Sequence, residues 1–255
     1  MEQVTAQDYL RRIGYEGSTE PTADTLRRIV EAHLSAVPFD NLDMLHQMPL
    51  DLSKEALWDK IVKRRRGGIC HELNNSLCYL LRDLGYEVHY RSARVDTEDD
   101  ELEHCILRVL IDGAPWLADV GFGSHVVPAL RLETGEIQEG YGGRYQFQSQ
   151  SDGTTLLLCQ KPGEAEFRQL YVMYSPERSP EDFLPHFAWY AAPGASIFSS
   201  HYVIIRTTPE ARYALVKDKL TITPHGGTPE ITPAPDNDTK QALLQSWFGI
   251  KTGMF

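Results

Sequence analysis

The chain has 255 residues, 42% hydrophobic and 24% charged, a composition that supports a buried core without disulfide or metal staples. Its 25 basic residues face 36 acidic ones, a net charge of −11, which argues against a nucleic-acid partner. The 15 prolines and 19 glycines follow no period, excluding collagen-like and low-complexity classes.

Residues 1–84 read as helical. Thr5-Ala6-Gln7-Asp8 fits a capping box at a helix start. Leu26, Ile29, Val30 and His33 share one helical face, and Ser53 can cap a third helix carrying Leu57, Trp58 and Ile61. A fourth helix from Cys70 places Cys70, Leu73, Leu77, Leu81 and Leu84 on one stripe, with Gly85 placed to end it. Residues 85–178 read as strands. They include 88–91, His104–Ile111, 116–120, 145–148, 154–159 and 167–174, and Asp112-Gly113 is a two-residue hairpin signal. Residues 179–255 mix strands (201–206, 212–216, 220–222) with a final helix over 238–248. The Pro/Gly-rich stretch 224–235 reads as an exposed connection.

No apolar run approaches the ~20 residues that span a bilayer. Met1-Glu2-Gln3-Val4 lacks the basic-then-apolar pattern of a leader. A cytoplasmic protein without a membrane partner is expected. Cys70, Cys78, Cys105 and Cys159 form no CxxC pair, and no HExxH or HxxxH occurs, so no metal is expected.

The segment Arg66-Gly67-Gly68-Ile69-Cys70-His71-Glu72-Leu73-Asn74 carries the chemistry. Its two glycines allow a close backbone approach to a ligand. Cys70 falls in the first turn of a helix, where free N–H groups and the helix dipole favour a thiolate. The run Lys63-Arg64-Arg65-Arg66 is expected to add positive charge nearby. A thiolate nucleophile needs a base, and the base needs an orienting group. With a two-residue turn at Asp112-Gly113, position 119 lies opposite Ile106, which puts His104 and Asp119 diagonally on one face. One hairpin then supplies a His and an Asp, and a separate helix supplies a Cys. His71 is expected to point off the other side of its helix, and His33 and His89 to pack on the faces of their elements.

These residues resemble the arylamine N-acetyltransferase family. The segment from Arg66 to Asn74 is similar to its RGGxCxELN motif, and Asp119-Val120-Gly121-Phe122-Gly123 to its DVGFG segment. Tyr9-Leu10-Arg11-Arg12-Ile13-Gly14-Tyr15 resembles YLxRIGY, Val37-Pro38-Phe39-Asp40-Asn41-Leu42 resembles VPFENL, and Trp247-Phe248-Gly249-Ile250 resembles the closing helix. The resemblance implies an α+β fold: a helical bundle (1–84), a β-barrel (85–178) and an α/β lid (179–255), with a cysteine-protease-like catalytic core. It implies a Cys70-His104-Asp119 triad and ping-pong acetyl transfer from acetyl-CoA to an arylamine or arylhydrazine, in a monomer or homodimer serving xenobiotic metabolism. It also implies that Phe39, Phe122 and Glu103 meet the small-molecule amine acceptor, and that Glu101 and Ser196 meet acetyl-CoA.

Two segments depart from the family pattern. Residues 96–103 hold six acids where small residues are usual. They read as a solvated loop turned away from the donor phosphates, and otherwise as a sign of a different donor or a cationic acceptor. Ala195 stands where a hydroxyl that contacts CoA is common, with Ser196 as the substitute. Three other functions stand beside the leading one. An amide synthase would use a carrier-bound or longer acyl thioester, a thiol hydrolase would use the same triad, and a binding module would carry a degenerate site.

Overall fold

The computed structural model describes residues 3–95, 100–140 and 142–251. The first region contains helices α1 (Ala6–Arg12), α2 (Ala23–Ala36), α3 (Leu42–Leu45), α4 (Lys54–Trp58) and α5 (Cys70–Asp83), and a two-residue strand β1 (Phe39–Asp40). The capping box at Thr5 forms in both directions: Thr5 N donates to the Asp8 carboxylate at 3.0 Å, and Asp8 N donates to the Thr5 hydroxyl at 3.2 Å. Such a cap is worth about 1 kcal/mol. Leu26, Ile29, Val30 and His33 turn into the core together, and His33 Nε2 lies 2.9 Å from the Tyr9 hydroxyl. Ser53 caps α4, which runs on as a single π-helical turn at Asp59–Lys63 carrying Ile61. Helix α5 is buried on almost every side. It ends as predicted at Gly85 (φ +89°), where Tyr86 N donates to Leu81 O and Gly85 N donates to Arg82 O, the paired bonds of a Schellman motif.

The central region is a near-closed antiparallel barrel of eight strands. They are β2 (Glu87–Arg94), β3 (His104–Ile111), β4 (Ala114–Ala118), β5 (Leu130–Arg131), β6 (Ile137–Gly140), β7 (Gly143–Ser149), β8 (Thr155–Gln160) and β9 (Arg168–Met173). Their order is β5-β4-β3-β2-β9-β8-β7-β6. Strands β5 and β6 escape sequence reading because two and four residues on an edge show no alternation. These two edges meet through one side chain: the Gln138 amide donates to Arg131 O at 2.7 Å and accepts from Arg131 N at 2.8 Å. Ile106, Leu117, Tyr145, Phe147, Leu157 and Tyr171 fill the interior.

The last region holds α6 (Leu184–Ala191), α7 (Ile197–Ser200), β10 (Val203–Thr207), β11 (Ala211–Val216), β12 (Lys219–Pro224), β13 (Glu230–Pro233) and α8 (Asn237–Phe248). Its sheet runs β1-β10-β11-β12-β13, so its first strand comes from the N-terminal region. Helix α8 packs Leu244 and Phe248 against Ile204, Leu215 and Leu220. The stretch 224–235 is more than a connection: it contains β13, exposed throughout and paired only on the β12 side. Helices α6 and α7 are not predicted by the sequence pattern. Helix α6 is apolar all round yet has no fully buried residue, so it shows no amphipathic period. The architecture is the α+β arrangement that the resemblance implied.

Candidate active site

The loop entering α5 is held by a buried charge network. Arg66, 1% exposed, donates from Nη2 to Asp40 at 2.6 Å and to Asp43 at 3.0 Å, and from Nε to Asp40 at 3.1 Å. Gly67 N donates to the same Asp40 carboxylate at 2.8 Å, and Asp40 N donates back to Gly68 O at 2.9 Å. Lys60 spans Asp43 at 2.8 Å and Glu72 at 2.6 Å. Glu72 also accepts from Ile69 N at 3.1 Å, which fastens the first turn of α5. Two of the four cations of the basic run are therefore not free positive charge beside Cys70. Arg66 is neutralised by Asp40 and Asp43, and Arg64 pairs with Asp59 at 3.0 Å. Nor do the two glycines make room for a ligand. A Cβ on Gly67 would stand 1.7 Å from Pro38 O, and one on Gly68 would stand 2.7 Å from the Glu72 carboxylate. They let the chain pass close to itself.

Cys70 is the first residue of α5 and is partly exposed. The Asp112-Gly113 turn has both residues at positive φ, +51° and +76°, as a type I′ hairpin requires. It sets the register Leu107↔Ala118, which places Ile106 opposite Asp119 and brings His104 and Asp119 together. His104 Nε2 lies 2.8 Å from Asp119 Oδ2, both side chains buried. Asp119 accepts three further bonds: Asn74 Nδ2 at 2.9 Å, Gly121 N at 2.9 Å and the Tyr171 hydroxyl at 3.2 Å. Asn74 lies one turn after Cys70 on α5 and also donates to Cys105 O at 2.7 Å while accepting from Val120 N at 2.9 Å. One amide thus ties the helix of the thiol to the hairpin of the His and Asp. Gly121 completes the fit, since a Cβ there would stand 2.6 Å from Cys70 Cα.

The electrostatics follow from this packing. Burial alone would raise the Asp119 carboxyl, but His104, Asn74 and Gly121 N–H hold it below the usual range. Burial would depress His104, but the Asp119 charge and hydrogen bond push it up to about 10. Burial would raise the Cys70 thiol, yet His71 and a hydrogen bond with His104 bring it well below its ordinary value. The arrangement favours a thiolate beside an imidazolium, the reactive form for attack on an acyl group. His71 does not point away as expected: its Nδ1 lies 3.4 Å from Cys70 Sγ, and its ring meets Phe183 and Phe187 edge-on.

Comparisons with known proteins bear on this constellation. The family profile described as N-acetyltransferase matches residues 22–254. An arylamine N-acetyltransferase of Mycolicibacterium smegmatis is 38% identical over 96% of this chain and 91% of its own length. The chain belongs to the arylamine N-acetyltransferase family. A solved Mycobacterium marinum arylamine N-acetyltransferase superposes with a TM-score of 0.89 at 35% identity, covering 96% of this chain and 93% of its own. The same protein solved in complex with CoA gives a TM-score of 0.88 at 34% identity, with the same two coverages.

The thiol faces a cavity of about 250 Å³. Phe39, Phe122 and Glu103 line it with Cys70 and His104. Glu101 and Ser196 are not in its lining. Glu101 pairs with Arg178, and the Ser196 hydroxyl donates to Tyr190 O and caps α7. Of the acidic segment, residues 96–99 lie outside the described residues. Asp100 pairs with His186, and Glu103 accepts from Val95 N at 2.8 Å. Sequence reading misses the roles of Asn74 and Tyr171. The four-residue spacing from Cys70 to Asn74 is the available signal for the first, and none exists for the second.

Proposed function

We propose that this chain is an acetyl-CoA-dependent arylamine N-acetyltransferase that works by ping-pong transfer through a Cys70 thioester. The observation that carries the reading is the Cys70–His104–Asp119 constellation opening onto an apolar cavity. His104 takes the thiol proton, and Asp119 holds the imidazole in one orientation and stabilises its positive charge. The thiolate attacks the acetyl carbonyl of acetyl-CoA. The N–H groups of the first turn of α5, with no helical carbonyl partner of their own, stabilise the oxyanion. The carbon–sulfur bond of the donor breaks, CoA takes the proton from His104, and acetyl-Cys70 remains. The amine nitrogen of the acceptor then attacks this thioester and loses a proton to His104 as the Cys70 thiolate leaves. An arylamine suits the second step, being neutral at pH 7, and the aromatic lining of Phe39, Phe122 and Phe198 offers faces for its ring.

Intact-protein mass spectrometry after mixing with acetyl-CoA alone, beside a Cys70→Ala control, tests the reading. The expected result is one acetyl group on the native chain, none on the control, and discharge on adding an arylamine. No adduct on a chain whose Cys70 still alkylates rapidly would exclude acetyl-CoA as donor. Longer or carrier-bound acyl thioesters, as an amide synthase uses, would then be tried.

A further inference from the structure

His71 is the second histidine at the thiol, and none of the steps above uses it. It follows Cys70 in the first turn of α5, and side chains on a helix lean toward its N-terminus. The ring reaches back until Nδ1 lies 3.4 Å from Cys70 Sγ, and it lines the same cavity as the thiol. The backbone is held too, with Asn75 Nδ2 donating to His71 O at 2.6 Å. The residue is 4% exposed, edge-on to Phe183 and Phe187, and its Nε2 is buried with no hydrogen-bond partner. Among the described residues, no carboxylate is hydrogen-bonded to this ring, whereas His104 is bound to Asp119 at 2.8 Å. Two imidazoles on one sulfur therefore stand in different settings. A buried N–H without an acceptor is rarer and costlier than an unfilled lone pair. A neutral His71 thus keeps its one proton on Nδ1, and an imidazolium carries one there as well. In both forms Nδ1 donates toward the sulfur and has no lone pair with which to act as a base.

We infer that His71 is a catalytic group of the second half-reaction, whose Nδ1–H stabilises the charge that gathers on Cys70 Sγ as the acetyl group passes to the amine. The inference rests on the proposed acetyltransferase reading. In that step the amine nitrogen bonds to the acetyl carbon and the carbon–sulfur bond breaks. Its electron pair goes to Sγ, and the proton from nitrogen goes to His104. His71 gives up no proton. In acetyl-Cys70 the sulfur is uncharged and a poor acceptor, so the bond from Nδ1 gains most of its strength on the way to the thiolate. The electrostatics point the same way: burial raises the Cys70 thiol, and His71 is foremost among the groups that bring it below its ordinary value. The first half-reaction feels the opposite effect. There the thiolate is the reactant, and a donor that stabilises it makes it a weaker nucleophile. His71 thus speeds discharge and slows acetylation. The gain is largest for weakly basic arylamines. In the tetrahedral intermediate the nitrogen and the sulfur compete to leave, and a weakly basic amine is lost again unless the sulfur departs readily.

The experiment separates the two half-reactions in the native enzyme, His71→Leu and His71→Asn. Leucine keeps apolar packing against Phe183 and Phe187 and removes the donor, while the asparagine amide nitrogen stands near the place of Nδ1. Rapid-quench mass spectrometry gives the rate of Cys70 acetylation by acetyl-CoA. On the isolated acetyl-enzyme it gives the rate of discharge by 4-methoxyaniline and by the less basic 4-cyanoaniline. Alkylation by iodoacetamide gives the thiolate fraction at each pH. In His71→Leu, discharge to 4-cyanoaniline should slow about 10-fold, the low end for a hydrogen bond to a charged group, and discharge to 4-methoxyaniline less than about threefold. Acetylation per thiolate should be at least as fast as in the native enzyme, and His71→Asn should recover part of the discharge. Loss of both half-reactions in the same proportion in both variants marks His71 as packing and overturns the inference. So does an unchanged rate of discharge. Failure of the native enzyme to form or discharge acetyl-Cys70 refutes the underlying function instead. The alkylation midpoint of Cys70, expected to rise in His71→Leu, then still decides whether Nδ1 donates to the sulfur.

Discussion

Asp119→Asn preserves the shape of the buried carboxylate and reverses half of its hydrogen bonding. The Oδ1 position faces two donors, Asn74 Nδ2 and Gly121 N, and neither can become an acceptor there. The amide must therefore place its oxygen at that position and its NH₂ toward His104 Nε2 and the Tyr171 hydroxyl. Tyr171 can turn its hydroxyl to accept. His104 can accept only as the neutral tautomer with its proton on Nδ1, and that tautomer cannot take the Cys70 proton. The Cys70 thiol then keeps His71 but loses the His104 imidazolium and its hydrogen bond, and so moves back toward an ordinary value. At an ordinary thiol pKa of ~8.5, about 3% is thiolate at pH 7. Acetyl transfer should fall about 10³- to 10⁴-fold, the scale of the same exchange in a serine-based triad. The assay is the pH profile of Cys70 alkylation by iodoacetamide beside single-turnover acetyl transfer. The native profile should stay flat from pH 9 to well below neutrality, whereas the variant should rise with a midpoint near ~8.5. An Asp119→Asn protein with a native alkylation profile and native transfer would refute the reasoning.

Other expectations follow from the same contacts. Gly121→Ala should fold yet lose about 100-fold in transfer, because the added methyl displaces Cys70 by a fraction of an ångström or more; single-turnover rates and circular dichroism check this. Tyr171→Phe removes one of four bonds to Asp119 and should slow transfer by less than about tenfold. Asp40→Asn leaves Arg66 short of its main counter-charge and should destabilise by about 3 kcal/mol, the low end for a broken buried pair, because Asp43 remains. Urea denaturation at pH 7 measures it. The Asp40 carboxyl is depressed in the folded state, with burial opposing and Arg66 prevailing. Its stabilisation is thus complete above the unfolded value of ~3.9 and is lost as pH falls through the folded value. The difference between native and Asp40→Asn stability should shrink below about pH 4; a constant gap would contradict the assignment.

The hairpin of His104 and Asp119 is legible in the amino-acid sequence because Asp112-Gly113 fixes turn length, and turn length fixes which residues oppose one another. The same logic serves Thr5–Asp8 and Gly85, where the partners lie within a few residues. Legibility fails where partners are distant in sequence. Arg66 reads as part of a basic run because Asp40 and Asp43, more than 20 residues earlier, carry no mark of their destination. The glycines at 67 and 68 read as space for a ligand, whereas a neighbouring carbonyl and carboxylate occupy it. Helical angle alone sends His71 away from the site, yet its ring turns back to the Cys70 sulfur. The proposed triad is thus visible as residue types, while the network that holds it, Asn74 above all, is visible only as a spacing.

The side chain of Gln138 has a consequence for how this protein behaves in a crowded solution. A barrel left open between its first and last strands presents bare peptide groups on which another chain can lay a strand. By offering its own amide to the N–H and C=O of Arg131, Gln138 acts as a one-residue imitation of the missing strand. The seam is occupied before a foreign chain can occupy it, and a few residues on from Arg131 the Gly135 N–H donates to Phe147 O and closes it further.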